Sequence, residues 1–474
     1  MASITSLEEY YASPFVRERI REYCGVADGR PPTSVYLSAL TGREGPLATW
    51  NDAPRYPVGA LDSLLSAGAD IARSAWDRAD LLIHVDIDYQ NVDVPAEAFL
   101  HPAEVFFKLE PIYRAALHTC RRFGIALMPL MTGRGYHFTG RVPLGDAVVD
   151  RLASIVPDPP RWLATLAGRQ GDDEAPEVSV RHAKAYVGAG MLVEFLAHRM
   201  LRRAARRSPI PIVLNGTVVG SGLVGRECAS IDLSYAGDPM DLRHMRVAFG
   251  AYQKHRFRPD IIGHRGASER PPFIAVPRGG ESLAHLLSHG REFAHAERAA
   301  RTRSTALPVV ADGVGRALDA YERSTLARFH REFYASPRRS AAEVLDIFRA
   351  LPLRILPACV ARPLLAPNDL LLQPASLQHV TRALLADGMA PRDIAALVCS
   401  RYDAPFGWGA RWSRQDAETR AEFDVRVFTG LLVTGTDRAL DFNCRSAQEK
   451  GLCPGGRCDE DLRDDRARLM KVVG

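Results

Sequence analysis

Two aspartates separated by one residue form the first group suited to chemistry. Asp86 and Asp88 lie in HVDIDYQN, residues 84–91, where an apolar run ends. If this run is a β-strand, both side chains project from the same face, because side chains alternate along a strand. Carboxylates this close repel each other unless a cation lies between them, and two divalent ions about 4 Å apart commonly serve phosphoryl transfer. The pattern indicates a metal site, although a lone Asp-x-Asp is more often a solvated strand end.

A short glycine turn forms the second group. It lies in MTGRGYHFTG, residues 131–140. Two glycines free the backbone to turn and to approach a ligand closely, and the polar side chains around them supply hydrogen-bond donors. This chemistry suits a nucleoside triphosphate, and a β-hairpin with a basic tip explains the same residues. The candidate ligand-binding residues are Thr132, Gly133, Arg134, Gly135 and His137.

A third aspartate, followed by many basic side chains, completes the set. Asp232 lies near the end of a predicted strand, residues 229–235. An acid followed by a basic cluster fits a metal site beside a phosphate site, and a surface helix of mixed charge is the alternative. The basic residues that follow are Arg243, His244, Arg246, Lys254, His255 and Arg256.

In this order and spacing, the three motifs resemble those of the archaeo-eukaryotic primase superfamily. That family carries paired aspartates on a strand, then a Ser-Gly-Arg-Gly-x-His turn, then a strand with a third aspartate and a basic stretch. The resemblance covers about residues 30–260. It implies a catalytic site in which Mg²⁺ or Mn²⁺ is held by Asp86, Asp88 and Asp232. It also implies nucleotide binding by Thr132, Gly133, Arg134, Gly135, His137, Arg246 and Lys254.

The sequence departs from the family pattern at several positions. Thr132 stands where the family usually has serine. The family's last motif is Arg-x-x-x-Ser-x-His-x-Lys, of which Arg246 and Lys254 match the ends. Gly250 replaces its serine and Tyr252 its histidine. No cysteine pair lies between the motifs, whereas primase small subunits commonly carry a zinc-binding insertion there.

Four cysteines in the second half form a candidate metal site, and the intervals between them contain 84, 8 and 4 residues. Their arrangement resembles the iron–sulfur domain of the primase large subunit, over about residues 345–460. That domain begins with Leu-Pro-x-Cys, continues through a helical hairpin and ends with three cysteines. FDVRVFTG, residues 423–430, resembles the stretch that contacts nucleic acid in that family. The resemblance implies a 4Fe-4S cluster, with a single Zn²⁺ as the alternative. The implied ligands are Cys359, Cys444, Cys453 and Cys458.

The elements expected to position these residues alternate irregularly, which favours an α+β fold with a mixed sheet, followed by a mainly helical C-terminal region. Apolar periodicity predicts strands over 80–88, 125–131, 136–142 and 229–235. It predicts helices over 5–23, 102–122, 145–155, 187–207, 376–387 and 391–402. We expect a primase/polymerase catalytic domain over 1–280, a basic helical linker over 281–340 and a large-subunit-like iron–sulfur domain over 341–474.

Composition is that of an ordinary soluble globular protein, with 46% hydrophobic and 25% charged residues among 474. The net charge of +5 permits a polyanionic partner without requiring one. No apolar run reaches the roughly 18 to 20 residues of a membrane span, and no secretion signal is predicted. The expected compartment is the cytoplasm, where close cysteines favour metal over disulfides.

The motifs together predict a DNA primase or primase-polymerase. It would make primers from nucleoside triphosphates on a single-stranded DNA template, with replication or defence proteins as partners. One alternative is a repair or defence-associated polymerase of the same superfamily that only extends primers. A more distant alternative is a non-catalytic initiator protein that binds nucleic acid.

Overall fold

The computed structural model describes residues 4–27, 29–44, 53–163, 178–216, 227–234, 244–258, 262–350, 356–365, 374–402, 417–455, 458 and 461–473. Strands and helices mix there without regular alternation, which confirms the predicted α+β class. The primase-type identity of the fold stays a prediction.

Twelve strands lie in the described residues and form three sheets with the orders β2-β1-β3-β9, β10-β11 and β12-β5-β6-β4-β8-β7. Their bounds are β1 Leu37–Leu40, β2 Arg55–Tyr56, β3 Asp70–Ser74, β4 Asp80–Asn91, β5 Met128–Met131, β6 Gly135–Pro143, β7 Ile212–Leu214, β8 Glu227–Asp232, β9 His244–Arg246, β10 Ala251–Tyr252, β11 Phe273–Ile274 and β12 Val276–Pro277.

The six-stranded sheet is mixed, because β7 runs parallel to β8 while the other neighbouring strands are antiparallel. Its longest strand is β4, which has 12 residues and lies between β6 and β8. On one face of β4, Ile83, Val85 and Ile87 are completely buried. The other face carries the two aspartates, so alternation along one strand separates the core from the candidate site.

Helices surround the sheets and make up most of the chain after β12. Their bounds are Leu7–Ala12, Pro14–Tyr23, Val58–Ala60 (a 3₁₀ turn), Leu61–Ser66, Glu97–Leu100, Pro102–Arg122, Ala147–Ser154, Val180–Ala204, Lys254–Phe257, Arg265–Ser268, Leu283–Arg291, Phe293–Thr302, Ala311–Glu322, Thr325–Ala335, Ala341–Ala350, Ala358–Leu365, Pro374–Ala386, Pro391–Tyr402, Ala417–Val433, Cys444–Glu449 and Leu462–Val473. None of those described meets the length and hydropathy that crossing a membrane requires.

The helix Pro102–Arg122 shows how the core fixes the sheet. It has the bounds that its apolar periodicity predicts. Its Tyr113 ring lies 4.6 Å from the ring of Tyr136 and 5.6 Å from that of Phe138, both on β6. His137 lies between these two residues and therefore projects from the opposite face. This helix thus covers the sheet face that does not carry the aspartates.

The C-terminal helices pack against the first half of the chain. Glu194, buried in the helix Val180–Ala204, accepts a hydrogen bond of 2.9 Å from Arg426 and lies 3.3 Å from His330. Buried apolar side chains form one cluster that extends from Tyr10 to Leu469. The predicted domain boundaries at residues 280 and 340 stay predictions.

Candidate active site and candidate metal centre

The three aspartates named from sequence occupy adjacent strands of the six-stranded sheet. Asp86 on β4 lies directly opposite Asp232 on β8. Asp88 lies two residues farther along β4, on the same face. Directly opposite residues have Cβ atoms roughly 4.5–5.5 Å apart and project together. We call Asp86, Asp88 and Asp232 the carboxylate face, and all three side chains are half-buried.

Basic side chains from β6 and the turn before it border the carboxylate face. His137 lies opposite Asp86 in the register of β4 and β6, and its Nε2 is 3.4 Å from Asp86 Oδ1. Arg134 Nη2 donates to Asp88 Oδ2 at 2.5 Å. The charge of Asp88 holds the pKa of Arg134 well above its usual value. The turn therefore brings its cation and its imidazole to the aspartates.

His84 belongs to the same group, although the sequence interpretation did not include it. It precedes Asp86 by two residues on β4, and its Nδ1 lies 2.8 Å from Thr139 Oγ1. Ligand atoms of His84, Asp86 and His137 all lie within 4.8 Å of one another, the one such set of three or more found in the described residues. The signal was available, because residues two apart on a strand share a face.

The two glycines of the turn are required by packing inside the protein. A Cβ on Gly135 would lie 1.9 Å from the carbonyl oxygen of Ile87, so only glycine lets β6 pair so closely with β4. A Cβ on Gly133 would lie 2.6 Å from the ring of Tyr252. The buried Thr132 closes the turn by donating its N–H to the Gly135 carbonyl at 2.9 Å. These close approaches account for both glycines.

Arg246 and Tyr252 connect the carboxylate face to the four-stranded sheet. Arg246 on β9 forms an ion pair with Asp70 on β3, and both side chains are buried. Its guanidinium lies 4.6 Å from the centre of the Tyr252 ring. Burial raises the pKa of Tyr252, while the nearby charges of Arg134 and Arg246 lower it in part. Tyr252 is therefore close enough to both arginines for their charges to act on it.

Lys254, the remaining residue predicted to bind nucleotide, begins the short helix Lys254–Phe257. Its side chain is half-buried and lies two residues beyond Tyr252. Arg246 and Lys254 thus flank Tyr252 in the chain.

The helix Ala417–Val433 approaches Asp232, which the sequence did not indicate. Asp232 Oδ1 accepts hydrogen bonds from the backbone and side chain of Ser234, at 2.8 and 2.6 Å. Burial raises the pKa of Asp424, and Asp232 raises it further, whereas Arg420 at 2.7 Å opposes both effects. The carboxylate of Asp424 therefore lies close enough to the carboxylate face for the charge of Asp232 to raise its pKa.

The stretch 423–430 was expected to contact nucleic acid, but its side chains are buried. Val425 and Val427 have no exposed surface, and Phe428 is 1% exposed. Its arginine, Arg426, pairs with the buried Glu194. In this conformation the side chains of the stretch pack the C-terminal helix into the core.

The four cysteines predicted to bind metal meet in one place. Cys359 lies in the first turn of the helix Ala358–Leu365, and Cys444 begins the helix Cys444–Glu449. Burial raises the pKa of Cys359 to about 12, and the charges of Cys453, Cys444 and Cys458 contribute to this rise. Thiols interact in this way only when they are near neighbours. We call these four residues the cysteine set.

The cysteine set is wider than a single-ion site. Among the described residues, no three of its sulphurs lie within 4.8 Å of one another. Four thiolates around one zinc, at about 2.3 Å each, would lie roughly 3.8 Å apart. A 4Fe-4S cluster distributes its thiolates over four irons and needs a wider spacing. Four thiolates can serve either group, and the preference for the cluster rests on the resemblance to the primase large subunit.

Two further side chains contact the cysteine set. His379, buried in the helix Pro374–Ala386, has its Nε2 3.1 Å from Cys359 Sγ. Cys444 Sγ lies 4.0 Å from Asp461 Oδ1. The sequence interpretation missed His379, because nothing in its spacing from Cys359 marks it as a neighbour.

Comparison of the chain with protein-family models, with curated proteins and with solved structures finds no match. The site itself is therefore the basis for a functional conclusion.

Proposed function

We propose that the protein is a metal-dependent nucleotidyltransferase that makes primers on single-stranded DNA, as a primase or primase-polymerase does. One observation carries the proposal: Asp86 faces Asp232 across two paired strands, with Asp88 on the same face and Arg134 bound to it. Three converging carboxylates are costly for stability alone, because like charges repel. They are the ligands that divalent ions need for phosphoryl transfer.

The carboxylate face would hold Mg²⁺ or Mn²⁺, ions that supply charge stabilisation to the reacting phosphates. The reaction is attack of a 3′-hydroxyl on the α-phosphorus of a nucleoside triphosphate, with pyrophosphate leaving. Arg134 lies one hydrogen bond from Asp88, where its positive charge would neutralise the triphosphate. His137 and Lys254 would extend this positive edge toward the outer phosphates, whereas the charge of Arg246 is already balanced by Asp70.

His84 and His137 bear on whether the site binds Mn²⁺ or Mg²⁺. Imidazole nitrogen binds Mn²⁺ and other transition metals, whereas Mg²⁺ prefers oxygen and near-ideal octahedral geometry. A set that joins two imidazoles to Asp86 within 4.8 Å therefore favours Mn²⁺ at one position. Asp86 lies between His137 on one side and Asp232 on the other, so its two oxygens can serve two ions.

The cysteine set would hold a 4Fe-4S cluster that fixes the helices Pro374–Ala386 and Pro391–Tyr402 against the C-terminal tail. In this proposal the C-terminal region supports primer initiation, and the enzyme acts in the cytoplasm, where thiols stay reduced.

The test is primer synthesis on a circular single-stranded DNA without a primer, with labelled nucleotides and either Mg²⁺ or Mn²⁺. We expect labelled oligonucleotides from the intact chain. Asp86→Asn and Asp232→Asn should each lower synthesis by at least about 10²-fold, because a lost ligand removes several kcal/mol of charge stabilisation. Asp346→Asn is the matched control, since Asp346 is 77% exposed on the helix Ala341–Ala350 and does not belong to the carboxylate face.

Absence of product with both ions, on primed and unprimed templates alike, would refute the proposal. Extension of a primer without synthesis on the unprimed circle would identify a primer-extending polymerase. Near-native synthesis by the Asp86 and Asp232 variants would remove the metal role from the carboxylate face.

A further inference from the structure

A basic groove lies between the helices Pro102–Arg122 and Val180–Ala204, away from the carboxylate face. Two adjoining cavities of 520 and 800 Å³ share His118 and Arg203 in their walls. The helix Pro102–Arg122 turns its Tyr113 to the sheet, while Arg114 and His118 are exposed on its surface. The basic side chains of the groove are Arg114, His118, Arg122, His198, Arg199, Arg202, Arg203, Arg207 and Arg278. The 800 Å³ part also contains two carboxylates, Glu281 and Glu110, and Glu110 pairs with both Arg114 and Arg278.

Like charges crowd together in the 520 Å³ part of the groove. Within the part of the chain that the structure describes, its walls contain no aspartate or glutamate. Burial lowers the pKa of Arg199, and the charges of Arg122 and Arg202 lower it further. Three guanidinium groups held this close without a lining carboxylate repel one another, and a bound anion would relieve the repulsion.

The guanidinium of Arg199 is held in place before any ligand binds. It lies 4.6 Å from the ring centre of Phe195 and 5.5 Å from that of Phe123. Stacking on two rings restricts an otherwise flexible side chain, so less entropy is lost when it binds an anion. Surface arginines that merely increase solubility do not need such support.

The groove is elongated, and basic side chains follow one another along it. Arg114, His118 and Arg122 recur at intervals of four residues and form one stripe along their helix. Phe107, two turns before Arg114, is 70% exposed and lines the 800 Å³ cavity. Phe107 and Arg122 are 15 positions apart, which is a rise of roughly 22 Å along a helix. That length accommodates several consecutive phosphates, and an exposed aromatic ring offers a base a surface on which to stack.

We propose that this groove binds the phosphate backbone of a single nucleic-acid strand, outside the catalytic site. The choice of a nucleic acid as occupant rests in part on the proposed function. A single phosphate or nucleotide would use one arginine cluster and leave the stripe and Phe107 without a role. A nucleic-acid strand would contact the full length of the groove. It would give the enzyme a second binding site for its template.

The test is binding of a fluorescent oligothymidylate to the full chain, measured by anisotropy across a range of salt concentrations, without nucleotide or divalent ion. We expect Arg199→Gln combined with Arg202→Gln to weaken binding at least about tenfold. The slope of log K against log salt should fall by about 1.4, because each lost phosphate contact removes about 0.7. Arg122→Gln combined with Arg203→Gln should act alike, and both of these side chains are exposed, so folding is spared.

The matched control is Arg30→Gln combined with Arg349→Gln, which removes the same charge from exposed positions elsewhere. Equal affinities and slopes for the groove and control variants would overturn the proposal. So would full competition by inorganic phosphate at matched ionic strength, or by polyglutamate, since these would assign the groove to single phosphates or to acidic proteins. The assay needs no catalysis. A chain that binds through the groove but incorporates no nucleotide would therefore refute the proposed function and leave the groove intact.

Discussion

The carboxylate face and the cysteine set are assembled in different ways. Asp86, Asp88 and Asp232 lie on two paired strands, and hydrogen bonds along β4 and β8 fix their register. Cys359 and Cys444 lie at the starts of separate short helices, and Cys458 lies outside any regular element. Backbone pairing between strands therefore holds the carboxylate face in place. The cysteine set lies on short helices and an irregular segment, so its geometry depends on what links these segments to one another.

The two sites therefore differ in the interactions that stabilise them. A strand register cannot slip by one residue without moving every side chain to the other face, so the carboxylate face persists without help from an ion. No strand pairing joins the segments that carry the cysteine set, so ordering them costs chain entropy, and metal binding commonly supplies the compensating free energy. Metal should thus matter for catalysis at the first site and for folding at the second.

Outside the carboxylate face, the largest effect is expected from Cys444→Ser. Loss of one thiolate should reduce the metal content from about four irons per chain to less than about one. Primer initiation should fall by at least about tenfold, while extension of an annealed primer stays within about twofold, because no member of the cysteine set lies on the sheet that carries the aspartates. Metal analysis and paired initiation and extension assays check this result. Unchanged metal content and unchanged initiation would show that the cysteine set does not bind a metal.

Gly135→Ala tests whether the carboxylate face depends on the close pairing of β6 with β4. The added Cβ would lie 1.9 Å from the Ile87 carbonyl, so β6 must move away from β4. We expect a loss of roughly 1–3 kcal/mol in the free energy of unfolding, with reduced nucleotide incorporation and an unchanged iron content. Denaturant unfolding measures the first effect.

Gly145→Ala provides the control for that substitution, because no heavy atom lies within 4 Å of the added Cβ. It should leave stability unchanged or raise it slightly. Equal stabilities of the two variants would show that the close approach of β6 to β4 is not required.

The smallest effect is expected from His84→Gln, which should change the choice of ion. Loss of one nitrogen ligand should lower Mn²⁺-supported incorporation by about tenfold and Mg²⁺-supported incorporation by less, since Mg²⁺ prefers oxygen. His101→Gln, at an exposed position, is the matched control. Titration of each ion in the incorporation assay gives the ratio, and equal losses with both ions would exclude His84 as a ligand.

Much of the local structure could be predicted from sequence because it follows from short-range patterns. Alternation along one strand places Asp86 and Asp88 on one face, and the periodicity of residues 102–122 gives a helix with those bounds. The strand containing Asp232 was also predicted, although its bounds are Glu227–Asp232 rather than 229–235. These features depend only on neighbours within a few residues.

The partners of individual side chains were decided by the tertiary structure. Arg246 was assigned to a nucleotide, and the fold also pairs it with Asp70. The stretch 423–430 resembles one that contacts nucleic acid, and the fold buries its arginine, Arg426, against Glu194. His379 reaches Cys359 only because two helices meet.

The sequence by itself determined which chemical groups each strand and helix carries and on which face they lie. Only the tertiary structure decided that Asp86 faces Asp232 and that the two basic helices enclose a groove. The physical reason is that pairing between distant segments depends on the register and packing of the whole core. No pattern within one segment contains that information.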